Sequence, residues 1–256
     1  WLASLGYEVH LFDLFPKNIE MSNELGKEYP ECSLKSAEVC DALSVPRKDK
    51  SADAVLLMGP LYHITDYSER ILAIKESTRL LKDNGIENIS LDIMLGIPSQ
   101  TSETLKETLA FAISCEVKHI SAYILKIEDG TFFDTHRDKY NFPDDNAVCD
   151  LYEQCADTLE NAGFSHYEIS NFAIPGYESR HNTKYWELEN YLGIGAAAHS
   201  YIDGKRFYFK SDTESFIKGK KAIFDGYGGD SEEYIMLKLR LKKGLNVQEL
   251  KRLYGE

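Results

Sequence analysis

Carboxylates that close apolar runs, a histidine inside an aromatic-rich segment and five scattered thiols are the residues here with chemistry to offer a ligand. Asp13 closes the run Gly-Tyr-Glu-Val-His-Leu-Phe-Asp, and Asp41 closes Ala-Glu-Val-Cys-Asp. In nucleotide-binding α/β folds an acidic residue at a strand end accepts hydrogen bonds from both ribose hydroxyls, although Asp also ends strands as a plain turn residue. Cys32, Cys40, Cys115, Cys149 and Cys155 are odd in number and widely spaced. That pattern fits free thiols in a reducing cytoplasm, and it lacks the tight clustering of a zinc or iron–sulfur site. Cys155 falls on an apolar helical stripe and reads as core.

The elements that must position these groups follow from periodicity. Leu2, Leu5 and Gly6 read as a last helical turn before a strand at Glu8–Phe12. A helix follows Pro16, and short strands are expected at Ala37–Cys40 and Ala54–Met58. The spacing of Ile71, Ile74, Thr78 and Leu81 predicts a helix over 66–81. A strand at Ile89–Met94 carries Asp92 and precedes a helix from Ser102 whose inward face is Leu105, Leu109 and Ala112. Next come a strand at His119–Leu125 and a helix capped by Asp144 with Val148, Leu151, Tyr152, Cys155 and Leu159 at helical spacing. Phe164–Ile169 reads as a strand, with Glu168 and Asn171 near its end. Asp203-Gly204 predicts a tight hairpin, and Asp230 with Glu233 and Asn246 with Glu249 start closing helices. Between them lies a long irregular stretch holding His181, Tyr185, Trp186, Gly193, Gly195 and His199. Its two glycines suggest close backbone approach, to a ligand or to a neighbouring element.

Composition bounds the reading. With 43% hydrophobic residues the chain can build a core, and its net charge of −13 repels a phosphate backbone, which excludes a nucleic-acid partner. The longest apolar runs are strand-sized, too short to span a membrane. The chain opens at Trp1 without a secretory pattern, so its natural start is expected upstream.

Residues 1–85, with "GYEVHLFD", "AEVCDA", "ADAVLLMGPLYHI" and "RLLKDNG", resemble the middle of a class I SAM-dependent methyltransferase. The resemblance implies that Asp13 holds the ribose of S-adenosyl-L-methionine, that Asp41 lies beside the adenine and that the "MGPLYH" turn rims the pocket. The family's glycine-rich loop has no counterpart here.

From Ile86 onward, "NISLDIMLGIPSQT", "HISAYILKIEDGT" and "GFSHYEISNFAIPGYESRHNTKYWELENYLGIGAAAHSY" resemble, in that order, the later half of the oxygen-independent coproporphyrinogen III oxidase-like radical SAM family. "HNTKYW", His181 to Trp186, points to its haem-chaperone branch, called HemW. The resemblance implies a partial radical SAM barrel, S-adenosyl-L-methionine contacted by Asp92, a [4Fe–4S] cluster held by CxxxCxxC, and haem or porphyrin as partner. Three thiolates are needed to fix such a cluster and leave one iron open. These 256 residues contain no CxxxCxxC, so radical chemistry is not expected of them. For His181 two readings stand: axial ligation of haem iron through a neutral imidazole, or pinning of its loop together with Asn182. Tyr185 and Trp186 read as packing aromatics or as a porphyrin platform, and His199 faces the same region.

The expected fold class is α/β: a parallel sheet of β–α units joining a partial methyltransferase-like sheet to a partial radical SAM barrel, followed by an α+β accessory region. Residues 1–85, 86–135 and 136–256 are the three expected parts. Ile89–Met94 is expected to replace the next strand of the front sheet, giving one hybrid sheet. The function expected is that of a haem-chaperone-type fragment in porphyrin metabolism. A methyltransferase-like enzyme and a non-catalytic chimeric product are the alternatives.

Overall fold

Proline 16 occupies the first turn of a helix, where its missing N–H costs nothing, and it sets the start of the front segment's only long crossover among the described residues. The computed structural model describes residues 2–48, 53, 64 and 66–255. Helix α1 (Pro16–Glu28) connects β1 (His10–Asp13) to β2 (Ser36–Val39), and the two strands pair in parallel. The strand expected at Ala54–Met58 and the Met-Gly-Pro-Leu-Tyr-His turn lie outside the described residues. Helix α2 (Tyr67–Asp83) is capped by Asp66, whose side chain accepts from Glu69 N–H. It buries Ala73, Thr78 and Leu80, so the inward stripe shares only Thr78 with the expected face; Ile71, Ile74 and Leu81 are half-buried.

The chain divides into two compact units, Trp1–Ile89 and Ser90–Glu256. The second unit opens with β3 (Ser90–Leu95), α3 (Ser102–Ser114) and β4 (His119–Ile124), a parallel β–α–β unit. Thr101 and Thr104 form a capping box for α3, whose Leu105, Leu109 and Ala112 are buried as their spacing predicts. After a single turn, α4 (Phe132–Thr135), Asp144 caps α5 (Asp145–Asn161), which buries Leu151, Cys155 and Leu159. Helices α3 and α5 pack together, and α5 also lies against β3, β4 and β5 (Ser165–Glu168).

Strand β6 (Asn171–Ala173), which no periodicity announced, turns back from β5 and inserts beside β4. The sheet order is therefore β3-β4-β6-β5, parallel at one side and antiparallel at the other. This mixed sheet takes strands from both sides of the boundary expected near residue 135. Among the described residues, β1 and β2 pair only with each other and β3 pairs only with β4, so no sheet is seen continuing from the front segment into Ile89–Met94. A β-bulge falls between His166 and Glu168, at Tyr167.

The stretch expected to be irregular contains a short helix, α6 (Arg180–Trp186), because Ser179 supplies an N-cap: its hydroxyl accepts from Asn182 N–H. Strands β7 (His199–Ile202) and β8 (Lys205–Tyr208) form the hairpin, with Asp203 and Gly204 both at positive φ as a two-residue turn requires. Helix α7 (Thr213–Ile217) leads to β9 (Ile223–Tyr227), the third strand of that sheet. Helices α8 (Ser231–Lys238) and α9 (Val247–Tyr254) close the unit, capped by Asp230 and Asn246 as expected. Among the described residues no helix is long and apolar enough to cross a membrane.

Candidate functional site

Helix α6 carries three of the expected site residues. His181 is exposed, and its Nε2 lies 2.7 Å from the Tyr185 hydroxyl one helical turn on. The Tyr185 ring meets His181 edge-on at 5.0 Å and Tyr191 at 4.5 Å. Burial pushes the Tyr185 phenol above its usual pKa, so it is a neutral hydroxyl at physiological pH. The histidine is thus held in orientation by its own helix, with Nδ1 turned away from that bond.

Trp186 points inward at the other end of α6. The Arg240 guanidinium lies 4.2 Å from its ring centre, a cation–π contact. Arg240 Nη2 also approaches Glu168 Oε2 at 3.6 Å, too long for a hydrogen bond. Glu168 is fully buried; its Oε1 accepts from Ser170 N–H and from the Asn171 side-chain amide. Glu168 Oε2, Asn171 Oδ1, Trp186 Nε1 and Arg240 Nε are all buried without a hydrogen-bond partner among the described residues. Glu187, just after Trp186, pairs with both Lys238 and Lys243. Burial alone would raise the Glu187 carboxyl, but the two lysine hydrogen bonds outweigh it and hold the group below the usual carboxylate range.

The start of α6 is tied to the sheet as well. Ser179 N–H donates to the Tyr167 hydroxyl, 3.2 Å away. That hydroxyl lies 2.8 Å from His119 Nε2, and His119 Nδ1 lies 2.8 Å from Ser90 Oγ. Burial lowers the His119 pKa against the opposing pull of Asp92, Glu168 and Glu178, so the imidazole is neutral. A neutral ring suits Nδ1–H donating to Ser90 and Nε2 accepting from Tyr167. Burial pushes the Tyr167 phenol up to about 12.

His199 stands apart. It is exposed on β7, stacked on Tyr208 at 5.1 Å and 3.9 Å from Asp225, and no ring contact or hydrogen bond joins it to α6 among the described residues. Gly193 resolves toward a neighbouring element: a Cβ there would come within 2.2 Å of the His199 carbonyl oxygen. The residues that sequence reasoning missed are Tyr167, His119 and Arg240. No local pattern signals them; His119 and Tyr167 are 48 positions apart.

The carboxylates sit in three settings. Asp13 is half-buried after β1, with Oδ1 accepting from Phe15 N–H at 2.8 Å and Oδ2 from the Asn18 amide at 2.9 Å. Asp41 is exposed, and its Oδ1 accepts from Leu43 N–H. Asp92 is exposed on β3 opposite Ser121, and its carboxylate makes no hydrogen bond among the described residues. Both Asp13 and Asp41 therefore organise their own turns, while Asp92 keeps its acceptor capacity. The thiols fall on separate elements: Cys115 and Cys155 are buried, Cys32 and Cys40 half-buried and Cys149 exposed. Among the described residues no three His, Cys, Asp or Glu side chains converge to hold a metal ion, so the residues present do not fit an iron–sulfur cluster.

Comparison with known proteins gives the chain its relatives. Residues 1–87 match the family model described as a methyltransferase domain. The heme chaperone HemW of Lactococcus lactis subsp. lactis (strain IL1403) is 34% identical over 199 residues, covering 72% of this chain and 52% of that protein. HemW of Synechocystis sp. is 45% identical over 132 residues (51% of this chain, 32% of that protein), and HemW of Escherichia coli (strain K12) is 38% identical over 128 (50% and 33%). The chain thus spans about half, or less, of the length of these relatives. Its fold is similar to that of coproporphyrinogen III oxidase (HemN) from Escherichia coli, a radical SAM enzyme, with a TM-score of 0.57 at 15% identity over 97% of this chain and 58% of that one. Over the part it spans the chain is thus similar in sequence to HemW proteins and in fold to coproporphyrinogen III oxidase, with a stretch at its front that matches a methyltransferase domain.

Proposed function

We propose that the rear segment is a haem-handling module, with haem as cargo and His181 as its iron ligand. The observation that carries this reading is an exposed imidazole presented by an N-capped helix and steadied by Tyr185, within the motif His-Asn-Thr-Lys-Tyr-Trp. A neutral imidazole is a good donor to haem iron, and its unbonded Nδ1 is the nitrogen offered with the ring as placed. Tyr185 orients the ring, and Trp186 anchors the helix through Arg240. His199, exposed on β7, is a secondary candidate.

The L. lactis, Synechocystis and E. coli relatives are named as heme chaperones, which supports haem as cargo for this chain. Residues 1–85, 86–135 and 136–256 are taken as a methyltransferase-like part, the last β–α units of a radical SAM barrel and an accessory region. The family uses S-adenosyl-L-methionine and a [4Fe–4S] cluster. Asp92 is the acceptor best placed to bind the former, but the thiols present do not fit the latter, and no radical step is derived from these residues. Five unpaired cysteines support a reducing, cytoplasmic setting.

Titration of haem into the protein, followed by Soret absorbance, tests the reading. His181→Ala should weaken binding by about tenfold or more, as expected when an axial ligand worth at least ~1.4 kcal/mol is lost. Equal binding by wild type and His181→Ala would refute it. The family match over residues 1–87 favours a second reading, a methyltransferase-like S-adenosyl-L-methionine site at Asp13 and Asp41. Calorimetry with S-adenosylhomocysteine decides it: binding abolished by Asp13→Asn would establish that site, and no heat would dismiss it.

A further inference from the structure

Helix α6 is too short to hold its own geometry. With 7 residues it has fewer than two turns of internal hydrogen bonds, and isolated helices of that length are unstable in water. Something outside it must fix the direction in which His181 points.

The structure shows two attachments, one at each end, and both run to adjacent residues of β5. At the start, the Tyr167 hydroxyl takes the Ser179 N–H and bonds His119, which in turn bonds Ser90 on β3. Tyr167 is the bulged residue of its strand, and bulges re-aim a side chain that regular pairing would point elsewhere. At the end, Glu168 lies beneath Arg240, and Arg240 covers Trp186. The segment 238–243 is itself laced to β5 by backbone bonds: Ile169 N–H donates to Arg240 O, and Lys242 N–H to Tyr167 O. From the same segment Lys238 and Lys243 grip Glu187, immediately after the helix.

We propose that Tyr167 and Arg240 are positioning residues for α6, a two-point clamp that sets the direction of the His181 imidazole. The inference rests on the reading of His181 as the haem ligand, and deepens it. Neither residue touches haem. Tyr167 acts through the N-cap Ser179, and Arg240 through Trp186. The unpaired buried atoms Glu168 Oε2 and Arg240 Nε show that the second attachment holds by stacking and charge more than by hydrogen bonds. It should therefore tolerate Arg240→Lys, which keeps the charge, better than Arg240→Met.

The test is hydrogen exchange of the α6 backbone amides in the full chain, alongside haem titration of the same proteins. Tyr167→Phe removes one hydroxyl and keeps the ring; it should speed exchange at 182–187 about fivefold, the loss of roughly one hydrogen bond. Arg240→Met should speed it about tenfold, with Arg240→Lys in between. Amides of α3, which neither residue touches, should be unchanged, which separates a clamp from general destabilisation. Haem affinity should fall in both variants, whereas His181→Ala, which removes only the exposed pair with Tyr185 inside the helix, should speed the exchange of α6 by no more than about twofold. Wild-type exchange at α6 in both Tyr167→Phe and Arg240→Met would overturn the clamp whether or not haem binds. Faster exchange with unaltered, His181-dependent haem affinity would overturn the positioning role and leave the haem reading standing. Faster exchange in a protein whose haem binding ignores His181 would sink the haem reading and with it the positioning role.

Discussion

The front and rear parts of this chain are both built from parallel β–α pieces, yet they bury their apolar residues very differently. In α1 only Ile19 is buried, and Leu14, Phe15, Met21 and Leu25 are each more than half exposed. In the rear, Leu95, Leu105, Leu109, Ile120, Leu159 and Phe172 are completely buried. A β–α–β unit is stabilised when its sheet is covered, and in the rear unit α5 lies on β3 and β4 and packs against α3. The same local rules therefore yield a closed core in the rear, while the described front residues bury only Ile19, Ala73, Leu80 and Ile89 among their apolar side chains. Secondary structure is cheap to specify; burial is what distinguishes the two parts.

Thiol chemistry gives the widest separation between the rear core and the front part. Burial pushes the Cys155 thiol up to about 12, and its side chain is inaccessible. Thiolate is the reactive form, so at pH 8 the shift from an ordinary value near ~9 lowers the reactive fraction by about a thousandfold. Half-buried Cys32 and Cys40 in the front should be alkylated by iodoacetamide long before Cys155, with exposed Cys149 fastest of all. Mass spectrometry of timed samples reads this directly. Comparable labelling of Cys155 and Cys32 would show that the rear core opens as readily as the front.

Truncations of leucine sharpen the contrast next. Leu109→Ala should cost about 3 kcal/mol or more, because the cavity it leaves in a closed core has little freedom to collapse. Leu25→Ala, at a half-exposed position, should change stability by less than about 0.5 kcal/mol. Urea unfolding followed by Trp186 fluorescence reads the rear unit that holds Leu109, and hydrogen exchange of the α1 amides under the same urea series reads the front unit that holds Leu25. A cost for Leu25→Ala as large as that for Leu109→Ala would end the distinction.

Much of this was legible in the sequence wherever one residue's role depends on neighbours within a turn or two. The stripe Leu105, Leu109, Ala112 and the stripe Leu151, Cys155, Leu159 are buried as spaced, and Asp144, Asp230 and Asn246 cap their helices. Asp203-Gly204 makes its hairpin, clasped from outside by the Asn190 side chain. What stayed hidden depends on pairing across distance. Strand β6 has 3 residues, too few for alternation to register, and its place between β4 and β5 is set by the sheet. Helix α6 shows no apolar stripe because it is held by Tyr167, Arg240 and the lysines around Glu187. The His119–Tyr167 and Trp186–Arg240 contacts join segments that no period connects.

Within the rear part, the two histidines offered for haem separate by a smaller effect. His181 sits on a clamped helix with a fixed ring, whereas His199 stacks on Tyr208 and faces Asp225. His181→Ala should lower haem affinity about tenfold or more, and His199→Ala by less than about twofold, both read from Soret titrations. The reverse order would move the site to the β7–β8–β9 sheet.

The smallest effect is also the most specific, because it asks which nitrogen of His181 meets the iron. Tyr185 occupies Nε2 at 2.7 Å, so that nitrogen is available only if the phenol swings away. Breaking one such hydrogen bond costs about 1 kcal/mol, roughly a fivefold change in a binding constant. If Nε2 is the ligand, Tyr185→Phe removes the competitor and haem affinity rises about fivefold. If Nδ1 is the ligand, the same substitution frees the ring to rotate and affinity falls. The geometry favours the fall, since Nδ1 makes no hydrogen bond among the described residues and the Tyr185 ring is wedged edge-on against Tyr191. A rise in affinity would therefore break the assignment of Nδ1 while leaving His181 in place as the ligand.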